Sequence, residues 1–65
     1  MADVETLKAE VKKLSAQAMQ AKMDLHDLSE ELPLGVEQVV AIAERVRDAY
    51  AALAAKKAEL AEGAA

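Results

Sequence analysis

The single histidine of this chain stands among carboxylates, with Asp24, Asp27, Glu30 and Glu31 around His26 and the single proline, Pro33, just beyond. Imidazole nitrogen combined with carboxylate oxygen suits a divalent first-row metal. His26 and Glu30 are four residues apart and therefore share a face if the segment is helical, which makes them the candidate metal ligands. Two donors fall short of the roughly four to six that a metal takes, so a second subunit or water must complete such a site. The plain alternative is an exposed histidine paired with Glu30, and the spacing leaves both readings open.

Met19 and Met23 precede His26 and Glu30 in steps of four, three and four, so the four residues form one outward stripe. Exposed methionines suit adaptable contacts with a partner or a further level of oligomerisation. The four carboxylates also crowd the C-terminal end of the expected helix, where the dipole disfavours negative charge. That placement suggests a cation or a basic partner, against the simpler reading of a solvated acidic face. No nucleophile paired with a base, phosphate-binding glycine loop or other catalytic motif is present, and a convex helix offers carboxylates no pocket for hydrolysis. The chain does not read as an enzyme.

Composition narrows the remaining classes. The 65 residues include no cysteine, which excludes disulfides, thiolate metal sites and thiol catalysis. A net charge of −4 argues against a nucleic-acid binder, and Lys8, Lys12 and Lys13 are interleaved with Glu5 and Glu10 rather than gathered into a basic patch. The acidic start Met1-Ala2-Asp3-Val4-Glu5 does not read as a signal peptide, and no run approaches the roughly 18 apolar residues of a membrane span. A cytoplasmic protein is expected.

The elements that must position His26 follow from periodicity. Val4, Leu7, Val11, Leu14, Ala18, Ala21, Leu25, Leu28 and Leu32 alternate in steps of three and four, a coiled-coil seam with His26 just outside it. Asp3 is a candidate N-cap, and Pro33 should stop the helix near Glu31, giving a first helix over 3–31 and a turn over 32–35. Gly35 opens a second helix over 36–62, with Leu34 expected to pack on Val39 and Gly63 to stop it. Its seam reads Val36, Val39, Ala43, Val46, Tyr50, Leu53, Lys57 and Leu60, flanked by Val40, Ile42 and Ala49. Two long helices with so short a connection lie antiparallel. The expectation is one all-α domain over 1–65, an antiparallel helical hairpin. Because a lone pair of helices leaves much of these stripes wet, a homodimer forming a four-helix bundle is expected, with pairing into higher oligomers left open.

The run Gln20-Ala21-Lys22-Met23-Asp24-Leu25-His26-Asp27-Leu28-Ser29-Glu30-Glu31-Leu32-Pro33, followed by Ala49-Tyr50 and Leu53, resembles the small Rop-like family encoded in nitrogen-fixation gene clusters. The resemblance implies a dimerising hairpin, an association with nitrogenase assembly or function, and metal binding mapped onto the His26 region. It carries no RNA binding from the plasmid regulator of that architecture, since architecture does not carry function. The tail Ala61-Glu62-Gly63-Ala64-Ala65 departs by offering no His or Cys as a C-terminal ligand. The resulting expectation is a non-enzymatic, homo-oligomeric accessory protein of nitrogen fixation that holds a divalent metal through His26 and Glu30. The alternative is a metal-free module docking on a nitrogenase-assembly component through the Met19, Met23 and His26 stripe.

Overall fold

The computed structural model describes residues 3–64, so residues 1, 2 and 65 of the expected domain lie outside the described part. Helix α1 runs Val4–Glu31, a 3-10 turn follows at Val36–Gln38, and helix α2 runs Val39–Ala64. The two helices pack side by side into a rod of 47 × 14 × 13 Å. This is an antiparallel helical hairpin, as the two seams require.

Asp3 holds extended backbone before α1, and its carbonyl accepts the Leu7 N–H at 2.9 Å. Its carboxylate makes no capping hydrogen bond, so the expected side-chain cap is not formed. At the other end the Leu32 N–H still donates to the Leu28 carbonyl at 3.1 Å, while Leu32 itself is extended at ψ 142. A residue before proline is pushed out of the helical region by the ring, which ends α1 here. The reversal is closed by Leu34 N–H to Glu31 carbonyl at 3.0 Å and Val36 N–H to Pro33 carbonyl at 3.2 Å.

Gly35 makes the turn possible in two ways. Its φ of 75° lies in the left-handed region that L side chains disfavour, and a Cβ there would meet Leu28 Cδ1 at 3.0 Å. Leu34 does not staple the second helix as expected, because it is 74% exposed in the turn. Nor does Gly63 stop α2. It lies inside the helix, where a Cβ would touch Leu7 Cδ1 and Val4 Cγ2 at ordinary contact distances of 3.6 and 3.8 Å.

The core contains Leu7, Ala18, Ala21 and Leu28 from α1 and Leu53 from α2. Val4, Val11, Leu14 and Leu25 are half-buried, so the α1 seam meets its neighbour along its whole length up to Leu28. Leu32 leaves the seam and is exposed because the chain has already turned outward there.

On α2 the seam differs from the expectation. Val39, Val46, Leu53 and Leu60 do face α1, but the intervening positions are Ile42, Ala49 and Lys56. Ala43, Tyr50 and Lys57 are exposed instead, as is Val36. Two overlapping stripes on α2 share every second member. Contacts with α1 select between them: Ile42 offers more apolar surface than Ala43, Lys56 Nζ meets Glu10 Oε2 at 2.9 Å, and Arg45 Nη2 meets Asp24 Oδ2 at 2.9 Å. These cross-helix ion pairs lie along one flank of the hairpin.

Candidate functional site

His26 lies in the last turns of α1, outside the seam, with its side chain 68% exposed. Its Nε2 is 3.5 Å from Glu30 Oε1, and its Nδ1 is 3.9 Å from Asp27 Oδ1. Helical spacing brings His26 and Glu30 onto one face as expected, at a separation beyond a normal hydrogen bond. Ser29 Oγ donates to the His26 carbonyl at 2.7 Å, so that hydroxyl is turned to backbone rather than to the imidazole. Among the described residues no three His, Cys, Asp or Glu side chains converge where one ion could be held. One chain presents a pair of donors.

The carboxylates that surround His26 in sequence separate in space. Asp24 points across the hairpin and accepts from Gln20 Nε2 and Arg45 Nη2, both at 2.9 Å. These two hydrogen bonds, the Gln20 one foremost, hold its carboxyl below the usual carboxylate range. Lys56 is the opposite case, with Glu10 and then Glu59 raising its ammonium above the ordinary lysine value. Asp24 is therefore part of what fixes the hairpin, leaving Asp27 and Glu30 beside His26. Met19 and Met23 are exposed on the same outer side of α1.

Sequence reasoning missed a second exposed feature. Leu32, Leu34, Val36 and Val40 all stand in solvent at the turn end, and with Met19, Met23 and Tyr50 they make up the exposed large apolar side chains of the described residues. A signal for the turn end was present in the chain, since no lysine or arginine occurs between Lys22 and Arg45.

The model of the family described as Rop-like matches residues 2–65, nearly the whole chain. The chain belongs to the Rop-like family. Among its relatives, a UPF0437 protein of Azorhizobium caulinodans is 50% identical over 62 residues, covering 95% of this chain and 90% of the relative. A UPF0437 protein of Sinorhizobium fredii is 51% identical over 61 residues, covering 94% and 91%. A third relative, from Frankia alni, is named as a UPF0437 protein in the nifX-nifW intergenic region; it is 42% identical over 52 residues, covering 80% of this chain and 63% of the relative. No solved structure matches the chain significantly.

This Rop-like hairpin fits the all-α architecture expected from the seams, and the Frankia relative fits a family found in nif clusters. Nothing in the fold or the family points to catalysis. No helix of the described residues is long and apolar enough to cross a membrane.

Proposed function

We propose that this protein is a non-enzymatic, cytoplasmic interaction module of nitrogen fixation, working as a homodimer in which two hairpins close into a four-helix bundle. The unfinished core carries this reading. The chain exposes 4856 Å² at 6.9 kDa, whereas size scaling assigns a compact monomer of that mass about 4,000 Å². The excess, on the order of 850 Å², is close to the roughly 800 Å² that each partner contributes to a standard interface. Apolar surface is available to cover: Tyr50 is 41% exposed, Ala43 is exposed two turns before it on the same stripe, and Val11, Leu25 and Val46 are only half-buried. A two-fold pairing would place the same stripe of each hairpin against its copy. The nif-linked name of the Frankia relative supports the nitrogen-fixation context, with a nitrogenase-related protein as the further partner.

Sedimentation equilibrium tests the dimer. The wild type is expected at twice its chain mass, and Ala43→Asp with Tyr50→Lys is expected to lose that dimer. A folded wild-type monomer at micromolar concentration would overturn the reading. Deleting the gene from a nitrogen-fixing host is expected to slow growth on dinitrogen and leave growth on ammonium unchanged; equal growth on both removes the context.

The 3.5 Å approach of His26 Nε2 and Glu30 Oε1 supports a second reading, in which assembly brings two such pairs together around iron or another first-row metal. Titrating the dimer with Fe²⁺ checks it. Stoichiometric binding that disappears in His26→Ala is expected, and binding unchanged in that variant excludes these ligands.

A further inference from the structure

The two most exposed large apolar side chains among the described residues, Leu34 and Val40, are at the turn end. Leu34 is 74% exposed, Val40 67% and Val36 58%, with Leu32 beside them at the end of α1. A second hairpin lying alongside buries lateral faces of α1 and α2, while Leu34 sits in the turn beyond both helices. Val40 is about 100° around α2 from the half-buried Val39, and the position seven residues on from it is the exposed Arg47. Leu34 and Val40 thus remain outside the lateral stripe assigned to the dimer, whereas Val36, seven residues before Ala43, continues that stripe.

The charge around this surface has one sign. Between Lys22 and Arg45 the chain has six carboxylates and no lysine or arginine. The whole chain nets −4, so the rest of it is net +2. Asp24 is neutralised by Arg45, but Glu31 and Glu37 flank the turn with no cation against them among the described ion pairs. Glu31 ends α1, where the helix dipole disfavours a carboxylate, and the last turn of α1 holds no basic residue. Phosphate-bearing partners, whether nucleic acid or an anionic bilayer, would be repelled here. A cationic segment that also carries apolar side chains would be attracted and could cover Leu34 and Val40.

We infer that the turn end is a docking surface for a basic amphipathic helix of a partner protein, with Leu34 and Val40 as the apolar contact and Glu31 and Glu37 as the charged rim. This inference rests on the interaction-module reading and names the chemistry of the partner. It makes the hairpin polar in function as well as in charge: the helical flanks assemble copies, and the turn engages something else.

The test uses fluorescence anisotropy with a labelled amphipathic peptide of leucine and lysine, measured on the full chain beside sedimentation. The expected result is saturable binding that weakens with salt. A control peptide with the leucines replaced by serine, at equal charge, should bind at least about tenfold more weakly, as should the Leu34→Ser, Val40→Ser double variant with the original peptide. Glu31→Gln with Glu37→Gln should weaken binding severalfold and flatten its salt dependence while leaving the apolar contact intact. Equal binding of both peptides, or unchanged binding by either double variant, overturns the inference. So does sedimentation of the Leu34→Ser, Val40→Ser variant as a monomer, which would make a second copy the occupant. A monomeric wild type would instead overturn the dimer reading and leave the peptide result standing, so the two failures are distinguishable.

Discussion

The flank where α1 and α2 are tied together and the turn where they are joined use the same residue types to opposite effect. Along the flank, Glu10 meets Lys56 and Asp24 meets Arg45, each at 2.9 Å, beside a core of leucine and alanine. At the turn, Glu31 and Glu37 stand beside Leu34 and Val36 that remain in solvent. Where charge is paired and apolar surface covered, the side chains hold the fold; where neither holds, the same side chains remain free for contacts outside the hairpin. The difference separates the carboxylates that tie the two helices together from those left in solvent at the turn.

That contrast can be broken or sharpened by substitution. The largest effect is expected from Leu28→Ala, which removes a buried side chain packed beneath the turn; urea unfolding should show a loss of about 2–4 kcal/mol. A loss no larger than that of an exposed leucine would mean the turn end has no core of its own. Gly35→Ala should cost about 1–2 kcal/mol in the same measurement, because the substitution combines left-handed backbone with a close approach to Leu28. Gly63→Ala should stabilise by roughly 0.5 kcal/mol, since a methyl there meets Leu7 and Val4 at contact distance and suits a helix better than glycine. Destabilisation instead would show that the open end of the hairpin is packed more tightly than these distances allow.

The smallest change is expected from Asp24→Asn, and its signature is pH dependence. The folded carboxyl lies below its ordinary value of 3.8, so its contribution is fully present above that value and is lost as pH falls through the lower folded value. Thermal midpoints of wild type and Asp24→Asn should therefore differ at neutral pH and converge as the pH falls below the ordinary value of 3.8 and through the lower folded one. A constant gap across that range would remove the Asp24 charge from the flank's account.

Much of the hairpin is legible in the chain because its signals are local. The α1 seam from Val4 to Leu28 repeats with helical spacing, and Pro33 and Gly35 mark the reversal through backbone restrictions that need no partner. The outward position of His26 follows from the same count, and the structure places its side chain in solvent beside Glu30. Leu34 departs from its local signal: a hydrophobic residue before a helix commonly packs back on it, but here Leu34 stands exposed in the turn.

By itself the sequence determined two amphipathic helices, their break and their antiparallel return, since periodicity and turn chemistry act over a few residues. Only the tertiary structure decided that Ile42, Ala49 and Lys56 rather than Ala43, Tyr50 and Lys57 face α1, and that Asp24 leaves the histidine cluster for Arg45. Both choices depend on residues about twenty or more positions away along the chain. Helical spacing makes two neighbouring stripes on α2 nearly equivalent, and contacts with α1 distinguish them.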